Sequence, residues 1–238
     1  MSMWKWSEIQ TVSRKIEHLE RYIDHTVLNP TVSREDIAKL CSEAIEKNFR
    51  SVCVPPIFVD QAFQLLVSSD VDVCTVIGFP LGYHSIDSKK AEIKASRLAG
   101  ATEFDIVIPQ GLLKSENPED RNQLLREMQE LTSMVHSHYG IVKWIVETAY
   151  LNNDELVLVC DYCMEVGADF IKTSTGFAEK GAQLSTVKKW KKQIGNRSLK
   201  IKASGGIQNL NDTLAFIKAG ADRIGASAGI SIIEANEK

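Results

Sequence analysis

Eight short runs rich in β-branched and apolar residues alternate with longer amphipathic stretches along this chain of 238 residues. The runs predict strands at 22–26, 51–54, 72–77, 103–108, 141–146, 170–172, 199–203 and 223–226. Eight strands, each followed by a helix, are the pattern of a closed parallel (β/α)8 barrel, and the chain length suits one such barrel. We therefore predict an α/β fold, a TIM barrel that occupies residues 1–238 as a single domain.

The stretches between the predicted strands carry apolar residues at helical spacing. Three examples of such stripes are Ile37, Leu40, Cys41, Ala44 and Ile45; Leu124, Leu125, Met128, Leu131 and Val135; and Leu156, Val159, Cys160 and Cys163. Residues 1–20, which include Trp4, Trp6, Ile9 and Val12, are expected to form an extra N-terminal helix that covers the barrel bottom.

A Gly-Ala pair closes three of the helical stretches, at Gly100-Ala101, Gly167-Ala168 and Gly220-Ala221. Glycine suits the left-handed turn that ends a helix, so one loop design recurs before strands four, six and eight. An open, doubly wound sheet is the alternative fold. It would need a glycine-rich phosphate turn after the first strand, where the sequence has Asp24-His25-Thr26 instead.

The overall charge limits the kinds of partner that the protein can bind, and the cysteines indicate its redox environment. A formal net charge of -3 gives no electrostatic footprint for nucleic acid or for an anionic membrane. Five cysteines, most of them in apolar runs, are typical of free thiols in a reducing, cytoplasmic setting. The N-terminal residues lack an apolar core for export, and no segment has the ~20 apolar residues of a membrane helix. We expect a cytoplasmic protein that binds neither nucleic acid nor membrane.

Three charged residues are predicted to point into the barrel from neighbouring strands. Alternation along strand four turns Asp105 inward, because Phe104, Ile106 and Ile108 share the opposite parity. Strand six ends at Lys172, and the same alternation on strand seven turns Lys200 and Lys202 inward. Catalytic groups in barrels project from the carboxyl ends of the strands, so Asp105, Lys172 and Lys202 are the candidate catalytic residues.

A neutral lysine can act as a nucleophile toward carbonyl carbon, but the reference pKa of lysine is ~10.4. A second ammonium group nearby and removal from water both disfavour the charged form, so Lys202 is placed to activate Lys172. Asp105 would then transfer protons during imine formation. The alternative is a buried ion pair of Asp105 with one lysine, which fills the barrel without chemistry.

Two glycine-containing loops follow the last two strands and predict a phosphate site. Gly205 and Gly206 follow strand seven, and Gly225 and Ser227 lie at the end of strand eight. Loops at these positions, together with a helix N-terminus, commonly hold phosphate through backbone N–H groups in barrels. Asn209 and Asn211 are expected to cap the helix that follows strand seven.

The motifs resemble those of the deoxyribose-phosphate aldolases, a family of class I aldolases with a barrel fold. The resemblance covers residues 23–227, nearly the whole chain. Its most specific parts are Lys172-Thr173-Ser174-Thr175-Gly176-Phe177, Lys202-Ala203-Ser204-Gly205-Gly206-Ile207 and Arg223-Ile224-Gly225-Ala226-Ser227. The chain departs from the family at Pro55 and Pro109, where asparagine is frequent, and at Ala228, where a second serine is common.

The resemblance implies a reaction and a set of site residues. The family cleaves 2-deoxy-D-ribose 5-phosphate reversibly to D-glyceraldehyde 3-phosphate and acetaldehyde, with no metal and no organic cofactor. By resemblance Lys172 forms the Schiff base, and Asp105 and Lys202 donate and accept protons. The substrate and its phosphate would be bound by Gly205, Gly206, Ser227, Gly225, Thr175, Asp24 and Thr26. The partners expected are phosphorylated sugars and aldehydes, and a homodimer is the assembly considered.

Other readings of the same residues stay open at this stage. One is a phosphate-binding barrel lyase or isomerase that works without covalent catalysis, and another is a catalytically silent barrel that binds a sugar phosphate. Other Schiff-base aldolases are compatible with the motifs, because a fold alone does not fix the substrate. Glu147 has inward parity on strand five, and we expect it to pair with a core lysine.

Overall fold

The structure is a computed structural model that describes residues 16–237. Within this range the strands close into one parallel barrel in the order of the chain, from β1 to β8. The strands are β1 Ile23–Thr26, β2 Ser51–Val54, β3 Asp72–Ile77, β4 Glu103–Val107, β5 Ile141–Ile145, β6 Phe170–Lys172, β7 Lys200–Ser204 and β8 Arg223–Ala226. The predicted TIM barrel is confirmed, and each predicted strand lies within one residue of an observed one at either end.

Helices follow the strands around the outside of the barrel. They are α1 Arg34–Glu46, α2 Val59–Leu66, α3 Ile86–Leu98, α4 Gln110–Lys114, α5 Pro118–His136, α6 Asn153–Glu165, α7 Leu184–Ile194, α8 Leu210–Ala219 and α9 Gly229–Glu237. The main hydrophobic core lies between these helices and the outer face of the strands. No helix in the described part of the chain has both the length and the apolar character needed to cross a membrane.

Side chains at the helix starts explain where several helices begin. Ser33 and Asp36 form a reciprocal cap on α1, and Asn152 and Glu155 form the same arrangement on α6. The predicted cap by Asn209 is confirmed, because its side chain accepts a hydrogen bond from the backbone N–H of Asp212 at 2.9 Å. Asn211 does not cap α8, because it lies within the first turn of that helix.

The recurring Gly-Ala pairs end helices as predicted. Gly100, Gly167 and Gly220 have φ values of 109°, 70° and 112°, and they lie between α3 and β4, α6 and β6, and α8 and β8. These are left-handed conformations that favour glycine over residues with a Cβ atom. The loop design read from the sequence is therefore a repeated structural unit.

Two details of burial differ from the sequence prediction. Ile45 was assigned to the buried stripe of α1, but it is half exposed near the end of the helix. Lys200, predicted to point inward, lies over the same Phe170 ring as the interior Arg223, with its Nζ 5.6 Å from the ring centroid, but as the first residue of β7 it is exposed rather than buried. Strand ends open to solvent, so alternation alone does not bury a side chain there. Most of the predicted N-terminal helix, residues 1–15, lies outside the described residues.

Candidate active site

Asp105, Lys172 and Lys202 meet at the centre of the barrel. The amine nitrogens of Lys172 and Lys202 each lie 2.7 Å from the same oxygen of Asp105, Oδ2. Parallel pairing of β6 with β7 places Lys172 directly beside Lys202, and all three side chains are almost fully buried. The structure thus brings together the three residues that the sequence indicated as catalytic candidates.

Lys143 on β5 is a third lysine in ionic contact with Asp105, and the sequence analysis missed this contact. Its Nζ lies 2.8 Å from Oδ1 of Asp105 and 2.6 Å from Glu103. The pairing of β4 with β5 sets Asp105 opposite Lys143, so adjacent strands place the two charges together. Both oxygens of the Asp105 carboxylate are therefore in contact with ammonium groups.

Three further ionic contacts lie deeper, toward the N-terminal ends of the strands. Arg223 contacts Asp24 at 2.9 Å and Glu103 at 2.5 Å, and Lys202 contacts Asp24 at 2.6 Å. These contacts join the interior charges into one connected set, which we call the charge network. Its members are Asp24, Glu103, Asp105, Lys143, Lys172, Lys202 and Arg223.

The network fixes the protonation of the groups around Asp105. Burial opposes the ionisation of this carboxyl, but the ammonium groups of Lys143, Lys172 and Lys202 hold its pKa well below the usual range. Burial likewise opposes the charge on Lys202, but the carboxylates of Asp105 and Asp24 raise its pKa above the usual value. In the resting site Asp105 is therefore a carboxylate and Lys202 an ammonium group, a proton acceptor beside a proton donor.

A cavity of about 430 Å³ opens above the network at the carboxyl ends of the strands. Lys172, which is almost fully buried, is one of its lining residues, and the loops that follow β1, β6, β7 and β8 form its walls. The predicted substrate-binding residues that line it are Thr26, Thr175, Gly205, Gly206, Gly225 and Ser227. The volume is in the range of small-molecule sites, and its position is where barrel enzymes place their chemistry.

Two consecutive glycines form the part of the cavity that suits a phosphate group. Gly205 and Gly206 have φ values of 87° and 80°, so their backbone follows a path that other residues rarely adopt. Turns of this kind can present successive N–H groups to an anion. The loop after β8 leads from Ser227 into α9, which adds the N-terminal end of a helix close to the same cavity.

Gly225 on β8 permits a close approach that a larger residue would block. A Cβ atom at this position would lie 2.9 Å from the Cβ of Ser204 and 3.2 Å from the Cε of Lys202. Even alanine would press against the side chain that carries the candidate proton donor. The glycine therefore serves the position of Lys202 as well as the wall of the cavity.

Glu147 holds the loop that follows Lys172, which differs from the prediction that it pairs with a core lysine. Its Oε2 accepts hydrogen bonds from the backbone N–H of Thr175 at 3.1 Å and from the Thr175 hydroxyl. The residue has a φ of 43° and lies just beyond the end of β5, so its side chain reaches across to the neighbouring loop. Thr175 is thereby fixed at the cavity wall.

Asp24, predicted as a substrate-binding residue, lies below the cavity. It is fully buried and belongs to the charge network, where Lys202 and Arg223 are its partners. Its position on β1, two residues before the strand end, turns it into the barrel interior beneath Thr26. It contacts the candidate proton donor, and no part of it lines the cavity.

Two thiols lie on the other side of Asp105. Sulfur atoms of Cys53 and Cys74 and one carboxylate oxygen of Asp105 lie within 4.8 Å of one another, a spacing that could suit a metal ion. The ammonium group of Lys143 lies 3.2 Å from the Cys74 sulfur, and three lysines contact the carboxylate. A divalent cation here would face these positive charges at short range, so the donor set does not suit one.

The residues that sequence reasoning missed share one pattern. Glu103 and Lys143 have inward parity on β4 and β5, and Arg223 begins β8. None of the three lies at the carboxyl end of its strand, where barrels carry catalytic groups. The available signal was the two-residue spacing of Glu103 and Asp105, which puts both carboxylates on the inner face of one strand.

Comparison with known proteins shows the family of this chain. Residues 19–235 match the family model described as DeoC/LacD family aldolase. The deoxyribose-phosphate aldolase of Caldanaerobacter subterraneus subsp. tengcongensis is 45% identical over 218 residues, which cover 91% of this chain and 93% of that relative. The deoxyribose-phosphate aldolase of Brevibacillus brevis is 43% identical over 216 residues, covering 91% and 95% of the two chains.

Solved structures show the same likeness. The deoxyribose phosphate aldolase of Aeropyrum pernix, described as having a unique tetrameric structure, superposes with a TM-score of 0.85 at 33% identity, covering 92% of this chain and 91% of that one. The identity and coverage of these relatives are high enough to establish common descent along almost the whole described range. The chain belongs to the DeoC/LacD family of aldolases.

Proposed function

We propose that this aldolase reversibly cleaves 2-deoxy-D-ribose 5-phosphate to D-glyceraldehyde 3-phosphate and acetaldehyde through a Schiff base on Lys172. Family membership supports a carbon–carbon lyase, and curated relatives that the chain covers almost completely are named for this substrate. The observation that carries the proposal is the position of Lys172. Its side chain lines the cavity that the glycine loops also line, and its amine lies 2.7 Å from Asp105.

The first step forms the imine. Neutral Lys172 adds to the C1 carbonyl of the open-chain sugar, and the carbinolamine then loses its hydroxyl group as water when a proton is supplied. Lys202 is the proposed donor of that proton, because Asp105 and Asp24 keep it charged. The product is a positively charged iminium that joins Lys172 to C1.

The second step breaks the bond between C2 and C3. The C3 hydroxyl loses its proton to Asp105, directly or through water, and the bonding electrons move into the iminium to give an enamine. C3 becomes the aldehyde carbon of glyceraldehyde 3-phosphate, which leaves. Asp105 passes the proton from the C3 hydroxyl to Lys202, which lies 2.7 Å away, and Lys202 delivers it to C2 of the enamine. Water then hydrolyses the resulting iminium to acetaldehyde and free Lys172, and the proton released in this step recharges Lys202.

The phosphate end of the substrate gives orientation in this scheme. Gly205, Gly206 and Ser227 line the same cavity as Lys172, and their backbone N–H groups are the proposed hydrogen-bond donors to the phosphate. A substrate held at both ends keeps C1 next to the amine, which converts the attack into an intramolecular reaction. A phosphate site of this kind predicts that a phosphorylated acceptor aldehyde binds better than an unphosphorylated one.

The setting of the protein is part of the proposal. We expect residues 1–238 to act as one domain in the cytoplasm, in carbohydrate degradation, since the substrate is a sugar phosphate. All five cysteines are free and buried, and burial raises the pKa of Cys41 to about 11, which keeps it an unreactive thiol. We further propose a homodimer, and sedimentation equilibrium would contradict it if only monomers were found.

The test of the reaction is chemical trapping. The enzyme is incubated with deoxyribose 5-phosphate or with acetaldehyde, reduced with borohydride and digested for mass spectrometry. We expect a stable adduct on Lys172, with the mass of an ethyl group when acetaldehyde is used. Cleavage of the substrate without any adduct on Lys172 would favour a lyase that works without covalent catalysis. Absence of both cleavage and adduct would favour a silent sugar-phosphate-binding barrel.

A further inference from the structure

The charge network contains one more base than acid. The acids are Asp24, Glu103 and Asp105, and the bases are Lys143, Lys172, Lys202 and Arg223. With every group ionised, the buried set carries one excess positive charge. Loss of one proton from a lysine makes the set neutral, and a neutral buried set avoids the cost of an uncompensated charge.

Lys172 is the base that the network holds least firmly. Lys143 contacts Glu103 and Asp105, Lys202 contacts Asp24 and Asp105, and Arg223 contacts Asp24 and Glu103. Among the described residues, Lys172 has one carboxylate within 4.0 Å, Asp105, and it shares that oxygen with Lys202. Lys172 also borders the cavity, so its proton can leave to water or substrate.

We propose that Glu103 and Arg223, at the floor of the barrel, set the neutral fraction of Lys172 by fixing the charge balance of the network. Neither residue lines the cavity or touches Lys172, so both act through Lys143, Lys202 and Asp24. This inference rests on the proposed function, because it concerns how the amine becomes a nucleophile. It assigns an electrostatic role to a pair of residues that could otherwise be read as structural.

The titratable and charged groups around Lys172 come from seven strands and one loop, and all of them contribute to the charge balance at its amine. They are Asp24 on β1, Cys53 on β2, Cys74 on β3, Glu103 and Asp105 on β4, Lys143 on β5, Lys202 on β7, Arg223 on β8 and Glu147 after β5. Burial, the hydrogen bond with Cys53 and the Asp105 carboxylate raise the pKa of Cys74 well above its usual value, so Cys74 is a neutral thiol, whereas the same hydrogen bond lowers the pKa of Cys53. Glu147 points to Thr175 on the far side of the loop.

Glu103 and Arg223 lie close enough to Lys172 to affect its protonation. Ionic contacts of 2.7, 2.6 and 2.9 Å link Asp105 through Lys202 and Asp24 to Arg223. A unit charge about 10 Å away, in an effective dielectric of about 20, displaces a titration midpoint by about one pH unit. Removing one charge from the floor should therefore change the reactivity of Lys172 measurably without any contact to it.

The experiment measures how readily Lys172 forms an imine at each pH. Acetaldehyde and cyanoborohydride are added to the intact enzyme, and the rate of ethylation at Lys172 is followed by mass spectrometry. Glu103→Gln removes a negative charge and should lower the pH midpoint by about one unit, while Arg223→Met removes a positive charge and should raise it by about one unit. The double variant restores the balance and should return the midpoint to the wild-type value.

The controls separate charge from packing. Arg223→Lys keeps the charge and should keep the wild-type midpoint, and Lys200→Met removes an exposed charge near the same end of the barrel with no shift expected. If the role of the pair were purely structural, ethylation of Lys172 would be slower in both single variants, and their pH midpoints would be the same. The double variant would then show the slowest ethylation. Shifts of equal sign in the two single variants, or no shift in either, would overturn the proposal.

Two further outcomes are distinguishable. If a single variant does not fold, Asp24→Asn replaces it, since it removes one negative charge beside Arg223 and must also lower the midpoint; an unchanged midpoint there overturns the inference. If the wild-type enzyme forms no adduct on Lys172 at any pH, the proposed function fails first. If the adduct on Lys172 forms in every variant with the same pH midpoint, the Schiff-base mechanism stands and only the charge-balance role of Glu103 and Arg223 is rejected.

Discussion

The two ends of the barrel interior handle polar groups in different ways. At the carboxyl end, the backbone of Gly205, Gly206 and Gly225 lines a cavity in which Lys172 is the one lining residue of the charge network. At the amino end, Glu103 and Arg223 are buried in direct ionic contact, out of reach of the cavity. One end offers unused hydrogen-bonding groups to a ligand, and the other uses nearly all of its charges on its own members.

The difference shows that the carboxyl end of the interior is free to bind a ligand, whereas the charges at the amino end act on the protonation of Lys172. Buried ion pairs are weak stabilising devices, because removal from water costs about as much as the pair gains. A barrel that needed only stability could fill this space with branched apolar side chains. The network is therefore better understood as the electrostatic support of Lys172, which lies where the two ends meet.

The largest effect is expected from Lys172→Arg, at the boundary between the two ends. Arginine keeps the positive charge but cannot form the imine, so cleavage should fall by about 10⁴-fold or more. The measurement is the rate of deoxyribose 5-phosphate cleavage, with thermal unfolding as a control for folding. Substantial residual turnover, with a folded protein, would move the chemistry away from this amine.

Asp105→Asn should lower both turnover and the free energy of unfolding, because the carboxylate contacts three lysines. We expect turnover to fall by about 10²- to 10⁴-fold and the free energy of unfolding to fall by about 3–5 kcal/mol. Steady-state kinetics and urea unfolding measure the two effects, and the exposed Asp87→Asn on α3 is the matched control. Unchanged stability would mean that the lysines do not depend on this carboxylate.

Acid should destabilise the amino end in particular. Burial opposes ionisation of Asp24, but Arg223, Lys202 and Lys143 hold its pKa well below the usual range, as the three lysines do for Asp105. A depressed carboxyl pKa contributes stability that is present above the unfolded value of about 3.9 and is lost as the pH falls toward the folded value.

The measurement of this effect is urea unfolding across the acidic range. The free energy of unfolding should decline as the pH falls from about 5 to about 2, by roughly 2 to 3 kcal/mol for each such carboxyl. Asp24→Asn should be less stable at neutral pH and should show a shallower decline. An identical decline in wild type and variant would exclude Asp24 as a contributor.

The smallest effect isolates the carboxyl end. An alanine Cβ meets no atom within 4 Å at Gly206 or at Gly195, and both glycines have positive φ, so each substitution should cost roughly 1–2 kcal/mol of stability through backbone strain alone. Gly206→Ala should in addition raise KM for deoxyribose 5-phosphate about tenfold, which is about 1.4 kcal/mol of binding. Gly195→Ala, at the end of α7, is the control.

Unphosphorylated deoxyribose sharpens this last comparison. Its KM should be the same in wild type and Gly206→Ala, because it has no phosphate to place at the glycine turn. An equal rise in KM for both sugars would locate the phosphate elsewhere in the cavity.

The sequence alone determined the barrel and the identity of the candidate catalytic residues. Alternation in the short runs fixed strand positions within one residue, since a strand with one face toward the helices repeats its apolar residues every second position. The same parity turned Asp105 and Lys202 inward. Glycine at the helix ends was also readable, because a left-handed turn excludes most other residues.

Only the tertiary structure decided how the charges are shared. Asp24 was expected to touch substrate, and Glu147 to pair with a lysine, but the first lies among cations below the cavity and the second holds Thr175. Parity tells which way a side chain points and leaves its height in the barrel undetermined. Height depends on the register between strands, which joins residues far apart in the chain, such as Glu103 and Arg223, and no local pattern encodes that contact.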